Sequence, residues 1–162
     1  MAASVFGFLG IGVNIVIYQQ NNGKKLIIFK LISDIIWAVH FLLLNANSAA
    51  AAAVLGIFRE IVFFNQDKKW AKSKSWLIFL LGCSIAVAIL TWKNVFSLYP
   101  AVASALSVIS FWKKNPKLSR GLVFPISACM LTYDITCESY SGIVNELLTL
   151  TSASIGIIRY LK

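Results

Sequence analysis

The segment NQDKKWAKSKS, residues 65–75, carries four lysines and lies between two long apolar runs. The run before it is AAAAAVLGIFREIVFF (49–64), and the run after it is WLIFLLGCSIAVAILTW (76–92). Lysine clusters in short connections between apolar runs are typical of the cytoplasmic loops of membrane proteins. The segment therefore predicts two membrane-spanning helices joined by a cytoplasmic loop.

Basic residues elsewhere in the chain follow an alternating pattern. The first connection between apolar runs contains Lys24 and Lys25, whereas the second, fourth and sixth connections together contain one basic residue, Lys93. The remaining clusters fall in the fifth connection and at the C-terminus: Lys113, Lys114, Lys117, Arg120, Arg159 and Lys162. Because cytoplasmic loops hold the excess of Lys and Arg, we expect the N-terminus outside and the C-terminus in the cytoplasm.

The composition is typical of an integral membrane protein. Of the 162 residues, 59% are hydrophobic and 13% are charged, whereas soluble domains carry about 25% charged residues. The first run has no basic segment before it, so we expect a retained helix rather than a cleaved signal peptide. We predict one all-α integral membrane domain, residues 1–162, with seven transmembrane helices: Ser4–Tyr18, Lys25–Leu44, Ser48–Phe64, Trp76–Trp92, Ser97–Trp112, Arg120–Cys137 and Ser141–Tyr160.

Several functional classes find no support in the sequence. The net charge of +9 does not indicate nucleic-acid binding, because the basic residues lie in short loops, where they contact anionic lipid headgroups. Cys83, Cys129 and Cys137 have no paired spacing, so neither a disulfide framework nor a metal site is predicted. No nucleophile–base set and no cofactor motif occurs, so we expect neither an enzyme nor a bound cofactor.

The order of the connections divides the chain into two similar halves. Each half reads helix, basic loop, helix, neutral loop, helix, and a shift of 94 residues places Tyr18 on Trp112 and His40 on Asp134. The span Trp76–Trp92 returns the chain, so the halves run in the same direction. We therefore predict two parallel three-helix repeats joined by a linker helix (3+1+3), related by an axis along the membrane normal: repeat one about 4–64, linker about 76–92 and repeat two about 97–160.

Two stretches carry a resemblance to known families. The run AVHFLLL (38–44) with the alanines at 49–53 and Arg59, and the ending with Asn145, Glu146 and IIRY (157–160), resemble the YgjV-type bacterial inner-membrane proteins. The 3+1+3 plan is similar to that of the SWEET and PQ-loop transporters. The resemblance implies a multi-pass protein of the bacterial inner membrane. The chain departs from the PQ-loop pattern, because its first repeat has no proline and no Pro-Gln pair occurs.

Ionisable and amide side chains inside apolar spans predict the functional site, because such residues are costly in a bilayer. We expect a substrate site between the repeats, formed by Asn14, Trp37, His40, Asp134, Asn145, Glu146 and Thr149. A histidine near carboxylates can exchange protons near neutral pH, which predicts proton coupling. The alternative is structural: a buried histidine satisfied by a carboxylate, an interhelical amide bond and a tight seam along helix 7, with Trp37 facing lipid or packing against a neighbour.

A second group of polar residues lies toward the cytoplasmic ends of the spans. Asp34 is expected to pair with Arg59 across the hairpin of helices 2 and 3, as a structural or inner-gate ion pair. Arg59 and Glu60 are adjacent and are expected not to pair directly, with Arg59 extending to the headgroups and Glu60 facing inward. Pro125 interrupts helix 6 and is either a hinge or a packing feature.

Together these features favour a membrane transporter of a small solute, working by alternating access, whose substrate the sequence does not identify. Its partners would be the lipid bilayer and that solute, with no nucleic acid. The alternative is a membrane scaffold or assembly partner whose polar helix faces are packing seams. The sequence leaves the oligomeric state open, a homo-oligomer included.

Overall fold

The computed structural model describes the backbone of residues 2–19, 23–112 and 116–161, and their side chains except at 18, 19, 23, 26, 111, 116–120 and 155–161. This part of the chain is helical and contains no strand. Its seven α-helices are α1 Ala2–Gln19, α2 Gly23–Leu43, α3 Asn47–Phe64, α4 Lys74–Leu90, α5 Leu98–Trp112, α6 Pro116–Thr136 and α7 Tyr140–Leu161. Two short 3-10 helices, Lys69–Lys72 and Val95–Ser97, lie before α4 and α5.

Each predicted span corresponds to one observed α-helix. Most bounds differ by one to three residues, and the largest difference is at α6, which begins at Pro116 rather than Arg120. Proline is tolerated at the first turn of a helix, because the N–H it lacks would have no partner there. The two 3-10 helices were not predicted, because three or four residues give no periodic hydrophobic pattern.

Only part of the helical bundle passes a membrane-span criterion based on length and composition. Within the described residues, Asn47–Phe64 is both long and apolar enough to cross a bilayer, and 50% of it is buried. Shorter apolar segments occur in four other helices: Ala2–Ile17, Lys74–Leu90, Val95–Ser110 and Gly121–Thr136. The described residues thus form a helical bundle.

Six of the α-helices form a closed ring. In ring order, α1 packs on α2, α2 on α3, α3 on α5, α5 on α6, α6 on α7, and α7 returns to α1. The remaining helix, α4, packs on the outside against α3 and α5, where Leu55, Leu80 and Val108 form a small apolar core. Large apolar side chains also point outward from the bundle, among them Phe8, Ile78, Phe79, Ile85, Ile89 and Leu90. An apolar exterior of this kind suits contact with lipid.

The connections alternate between two ends of the ring. At one end, the Lys93 ammonium donates to the carbonyl of Asn45, so the α2–α3 and α4–α5 connections are neighbours. At the other end, Lys24 in the first turn of α2 forms an exposed ion pair with Asp67 of the α3–α4 connection. The second end contains the lysines of residues 65–75. The lysine-rich α3–α4 connection therefore lies at the end of the ring opposite the α2–α3 and α4–α5 connections, as the alternating charge pattern predicts.

The α2–α3 and α6–α7 turns have the same backbone hydrogen bonds, 93 residues apart. In the first turn the N–H of Ala46 donates to Phe41 and that of Ala50 to Ala46; in the second, Ser139 donates to Asp134 and Ile143 to Ser139. The residues Asn45 and Glu138 both have a φ of 55°. The 94-residue register is therefore wrong by one residue at this turn: Phe41, not His40, corresponds to Asp134.

Candidate functional site

A cavity of about 170 Å³ lies inside the helical ring, between the two halves of the chain. An apolar cavity of about 150 Å³ accommodates benzene, so this space suits a compact small molecule. Many lining residues fall in pairs that are 93 residues apart: Asn14 and Ser107, Ser33 and Ile126, Trp37 and Met130, Phe41 and Asp134, Ala49 and Gly142, Ala52 and Asn145, Ala53 and Glu146. Corresponding positions of both halves thus face the same space.

A chain of hydrogen bonds runs along one wall of the cavity and joins the two halves. The Ser33 hydroxyl of α2 donates to Asn14 Oδ1 of α1 at 2.7 Å. Asn14 Nδ2 donates to Asn145 Oδ1 of α7 at 2.6 Å, and Asn145 Nδ2 donates to Glu146 Oε1 at 3.1 Å. The Ser127 hydroxyl of α6 also hydrogen-bonds Glu146. The chain of bonds therefore connects α1, α2, α6 and α7 through Asn14, Asn145 and Glu146.

Trp37 is part of the cavity wall and is 8% exposed. Its indole packs against the backbone of α1 at Gly10, where a Cβ would lie 2.9 Å from the ring. The ring also meets His40 edge-on, with 5.1 Å between ring centroids. Because the side chain is buried between helices, Trp37 does not face lipid.

Asp134 lines the cavity and is 1% exposed. Its Oδ1 is buried and has no hydrogen-bond partner in the described part of the chain. The carboxyl group lies against Gly142 of α7, where an added Cβ would come within 2.5 Å of Oδ1. A buried carboxylate oxygen without a donor is unfavourable, so Asp134 is the least satisfied polar group at this site.

His40 lies behind the cavity wall and is not among the residues that line this cavity in the described part of the chain. Its Nδ1 is 2.7 Å from the carbonyl oxygen of Ala3, and its Nε2 is 2.8 Å from Ser139 Oγ. Because a carbonyl oxygen only accepts, Nδ1 carries the proton, and in the neutral ring Nε2 accepts from the Ser139 hydroxyl. The predicted contact of His40 with a carboxylate is therefore replaced by a contact with Ser139, which also approaches Asp134.

Thr149 lies away from the central cavity, in a second space between α1 and α7. This space, about 250 Å³, is also lined by Ser152 and shares Asn14 and Asn145 with the central cavity. Asn145, Thr149 and Ser152 thus lie on the side of α7 that meets α1. Gly156, four residues after Ser152, lies outside the residues whose surroundings the structure describes.

Four charged side chains form a largely buried cluster beside the cavity, in which Asp34, Arg59 and Glu60 are buried and Lys30 is partly exposed. Asp34 accepts from Lys30 at 2.7 Å and from Arg59 Nη2 at 3.3 Å. Arg59 Nε and Nη2 both donate to Glu60 Oε1 at 3.0 Å. Gly56 leaves room for this arrangement, since a Cβ there would lie 2.5 Å from Asp34 Oδ2. The cluster contains two positive and two negative groups.

The structure corrects two expectations about this cluster. Arg59 and Glu60 do pair directly, although adjacent helical residues point about 100° apart, because the long Arg59 side chain reaches back to its neighbour. Arg59 does not extend to the headgroups, as it is 5% exposed. The predicted contact between Asp34 and Arg59 is present, while Glu60, 1% exposed, faces the interior.

Sequence reasoning missed three residues of the site. Lys30 is one of them, although its i,i+4 spacing to Asp34 is a recognised signal for an ion pair on one helix face. Ser139 and Gly142 gave no signal, because a serine in a turn and a glycine in a helix are common. Pro125 lies within α6 and is exposed, and its role as a hinge stays a prediction.

Comparison with known proteins identifies the family of this chain but no individual protein that it resembles. The model of a family described as Imp-YgjV, bacterial inner membrane protein, matches the chain over residues 1–162. No curated protein and no solved structure matches it. The match confirms the YgjV-type resemblance seen in residues 38–44 and at the C-terminus, and it implies a lipid bilayer as the environment. The similarity to SWEET and PQ-loop transporters stays a prediction.

Proposed function

The chain belongs to the Imp-YgjV family of bacterial inner membrane proteins, and from this premise we propose that it transports a small solute. The proposed substrate site is the cavity between its two halves. The single observation that carries the proposal is that corresponding positions of both halves line this polar cavity. Transporters built from parallel repeats bind substrate between the repeats. No chemical step on the solute is proposed.

The proposed architecture is a multi-pass bundle of two parallel three-helix repeats, with α4 as the linker. The matching hydrogen bonds of the α2–α3 and α6–α7 turns support it, as does the ring in which α3 meets α5 and α7 meets α1. This 3+1+3 plan is the one for which we expect similarity to SWEET transporters. With the basic connections in the cytoplasm, the N-terminus lies outside.

Alternating access requires a closure at each end of the cavity. At the cytoplasmic end, the buried cluster of Lys30, Asp34, Arg59 and Glu60 is the proposed inner gate, since its ion pairs link α2 to α3 beside the cavity. Its net neutrality lowers the cost of burial. Pro125 in α6 is the proposed hinge, because its ring removes the backbone hydrogen bond to the carbonyl of Gly121.

Proton coupling is proposed at the outer end, through His40, Ser139 and Asp134. When His40 is neutral, the Ser139 hydroxyl donates to Nε2. When His40 is protonated, Nε2–H donates to Ser139, and the hydroxyl hydrogen is free to turn toward Asp134. Protonation at His40 would then change the hydrogen bonding of a carboxyl group that lines the cavity. Uptake of the substrate is expected to vary between about pH 5 and 8, and a constant rate would contradict the coupling.

The experiment compares two phenylalanine substitutions at adjacent alanines of α3. Ala52 lines the central cavity, whereas Ala51 faces an apolar groove on the outer side of the ring. Purified protein is heated with a panel of small metabolites, and unfolding is followed by tryptophan fluorescence. A ligand of the cavity raises the melting temperature. The rise is expected in the wild type and in Ala51→Phe, and it is lost in Ala52→Phe.

Compounds that pass this comparison are then tested for counterflow in liposomes containing the purified protein. Accumulation of a labelled compound supports transport. The other candidate is a scaffold, and the bonds from Asn14 to Ser33 and Asn145 favour it, because interhelical amide bonds also hold packing seams together. If no compound distinguishes the two phenylalanine variants, or if none accumulates, the scaffold replaces the transporter.

A further inference from the structure

We propose that the solute is a small primary amine, bound in its ammonium form by Asp134. This inference rests on the proposed function and names the substrate class of the same cavity. It depends on three features of the structure: a carboxylate oxygen that lacks a donor, the engagement of the nearby cations with other groups, and an aromatic wall.

The first feature is the state of Asp134. Its side chain is 1% exposed, it lines the cavity, and Oδ1 has no hydrogen-bond partner within the described residues. Buried polar atoms in native proteins are nearly always paired, so an unpaired one at a cavity marks a position for a donor. An ammonium group supplies three N–H donors and a positive charge in one compact group.

The second feature is the distribution of charge around the cavity. The cations that line it, Lys30 and Arg59, are both bonded to Asp34, and Arg59 also binds Glu60. Glu146 accepts hydrogen bonds from Asn145 and Ser127 and is within electrostatic reach of Lys30. By contrast, the charged group that acts on Asp134 is another carboxyl, that of Glu146.

It follows that Asp134 and Glu146 line this part of the cavity without a cation within ion-pair distance in the described part of the chain. A solute anion would meet Asp134 and Glu146 without a free cation beside them, and its charge would be repelled. A cation would bring the missing charge, and a turn of the Asp134 carboxyl would bring its unpaired, buried oxygen to the N–H donors of an ammonium group. Bound in this way, the solute makes a charge-assisted hydrogen bond, which is stronger than a neutral one.

The third feature separates an organic cation from a metal ion. Hard metal ions take six or more oxygen ligands, or keep several waters, and no cluster of three metal-ligating side chains occurs among the described residues. Trp37 also lines the cavity, and an aromatic ring attracts a cation and packs well on a hydrocarbon skeleton. The volume of about 170 Å³ limits that skeleton to roughly the size of one small ring.

The experiment uses pairs of compounds that differ only in the charged group, such as cyclopentylamine and cyclopentanol. Melting curves of the purified full-length protein are measured with each compound at neutral pH. The amine is expected to raise the melting temperature by about 5 °C at saturating concentration, and the alcohol is expected to have no effect. Potassium and magnesium chloride at the same ionic strength serve as controls for the charge alone.

Two carboxyl-to-amide variants test the residue. Asp134→Asn is expected to abolish the effect of the amine, whereas Glu138→Gln, an exposed carboxyl four residues further on, is expected to retain it. The melting temperature without ligand shows whether each variant is folded. If Asp134→Asn is unfolded, the wild type still gives the answer: its melting temperatures with the amine and with the alcohol show whether the site binds an ammonium or a hydroxyl group.

The outcomes separate this inference from the proposed function. If the alcohol or a metal salt stabilises the wild type as well as the amine does, or if a folded Asp134→Asn still responds to the amine, the amine inference is overturned and the transporter stands. The amine inference is also overturned, and the transporter also stands, if an uncharged compound stabilises the wild type and loses this effect in Ala52→Phe. If no compound of any charge responds to Ala52→Phe, both proposals fail.

Discussion

Asp34 and Asp134 are two buried carboxyl groups that differ in their hydrogen-bond partners. Asp34 accepts hydrogen bonds from Lys30 and Arg59 on its two oxygens. Asp134 is at least as buried, yet its Oδ1 lacks a partner in the described part of the chain. A carboxyl whose oxygens are satisfied holds helices together, whereas an unsatisfied one at a cavity is available to a ligand. The first therefore belongs to the framework, and the second belongs to the candidate site.

Replacing Arg59 by glutamine tests the framework role of the buried cluster. The change leaves the carboxyl groups of Asp34 and Glu60 buried with less positive charge beside them. Removing one partner of a buried ion pair costs about 3–5 kcal/mol, so the melting temperature in detergent should fall sharply. The control is Lys24→Gln, since Lys24 pairs with Asp67 on the exposed surface and should change stability by about 1 kcal/mol or less. Equal effects of the two substitutions would argue against a buried cluster.

Individual residues were predicted from the sequence with mixed success. The contact between Asp34 and Arg59 was anticipated, because opposite charges inside two consecutive apolar spans must neutralise each other. Lys30 lies inside an apolar span, where the alternation of basic loops gives no indication of a cation. The direct pair between Arg59 and Glu60 was ruled out by helix geometry alone, which ignores the length and flexibility of an arginine side chain. The spacing of two residues along a helix gives the directions of their side chains but not the distance that a long side chain can span.

At the scale of elements, the two tight turns are the most similar parts of the two halves. In each turn one residue adopts a left-handed conformation, Asn45 in the first and Glu138 in the second, with φ of 55°. That conformation costs most residues roughly 1–2 kcal/mol, while asparagine tolerates it through its short polar side chain. The same turn is thus built from a suitable residue in one half and an unsuitable one in the other.

Glycine substitutions at the two turn positions should therefore have unequal effects. Glu138→Gly removes the Cβ that opposes a positive φ and should stabilise the protein by about 1 kcal/mol. Asn45→Gly relieves little strain and should change stability by about 0.5 kcal/mol or less. Melting temperatures of both variants, measured in the same detergent, give the comparison. A Glu138→Gly variant that melts below the wild type would show that the turn does not hold this conformation.

The helices were predictable and the register between the halves was not. Hydropathy and charged loops located all seven α-helices, because each apolar run is bounded by polar residues and a helix must satisfy its own backbone in lipid. The register of 94 residues was chosen by matching side chains such as His40 and Asp134. The turns instead match at 93, where backbone hydrogen bonds correspond. The side chains of the two halves differ more than the backbone of their turns, so matching side chains gave a register that is wrong by one residue.

At the scale of the whole molecule, the halves share positions but not chemistry. Residues 93 apart line the same cavity, yet Trp37 corresponds to Met130, Phe41 to Asp134 and Ala53 to Glu146. The first half contributes the aromatic wall and the cations of the buried cluster, and the second half contributes the carboxyl groups that lack a basic partner at short range. The cavity is therefore symmetric in outline but not in charge, with its cations in the first half and carboxyl groups without a close basic partner in the second.

Membrane topology gives the most general prediction, because every functional proposal requires the two ends of the bundle to face different compartments. Ser73, just before α4, and Val95, just after it, are both exposed and lie at opposite ends of that helix. Single cysteines at these positions should react with a membrane-impermeant maleimide from opposite sides of the inner membrane. Val95→Cys is expected to label in intact spheroplasts, and Ser73→Cys only after the membrane is opened.

The native cysteines determine the background of this measurement. Cys83, Cys129 and Cys137 are partly buried, and all three are replaced by alanine so that each variant contains a single cysteine. If Ser73→Cys and Val95→Cys label from the same side, α4 does not cross the membrane. The two halves then cannot be parallel, because a linker that crosses is what restores the direction of the second half.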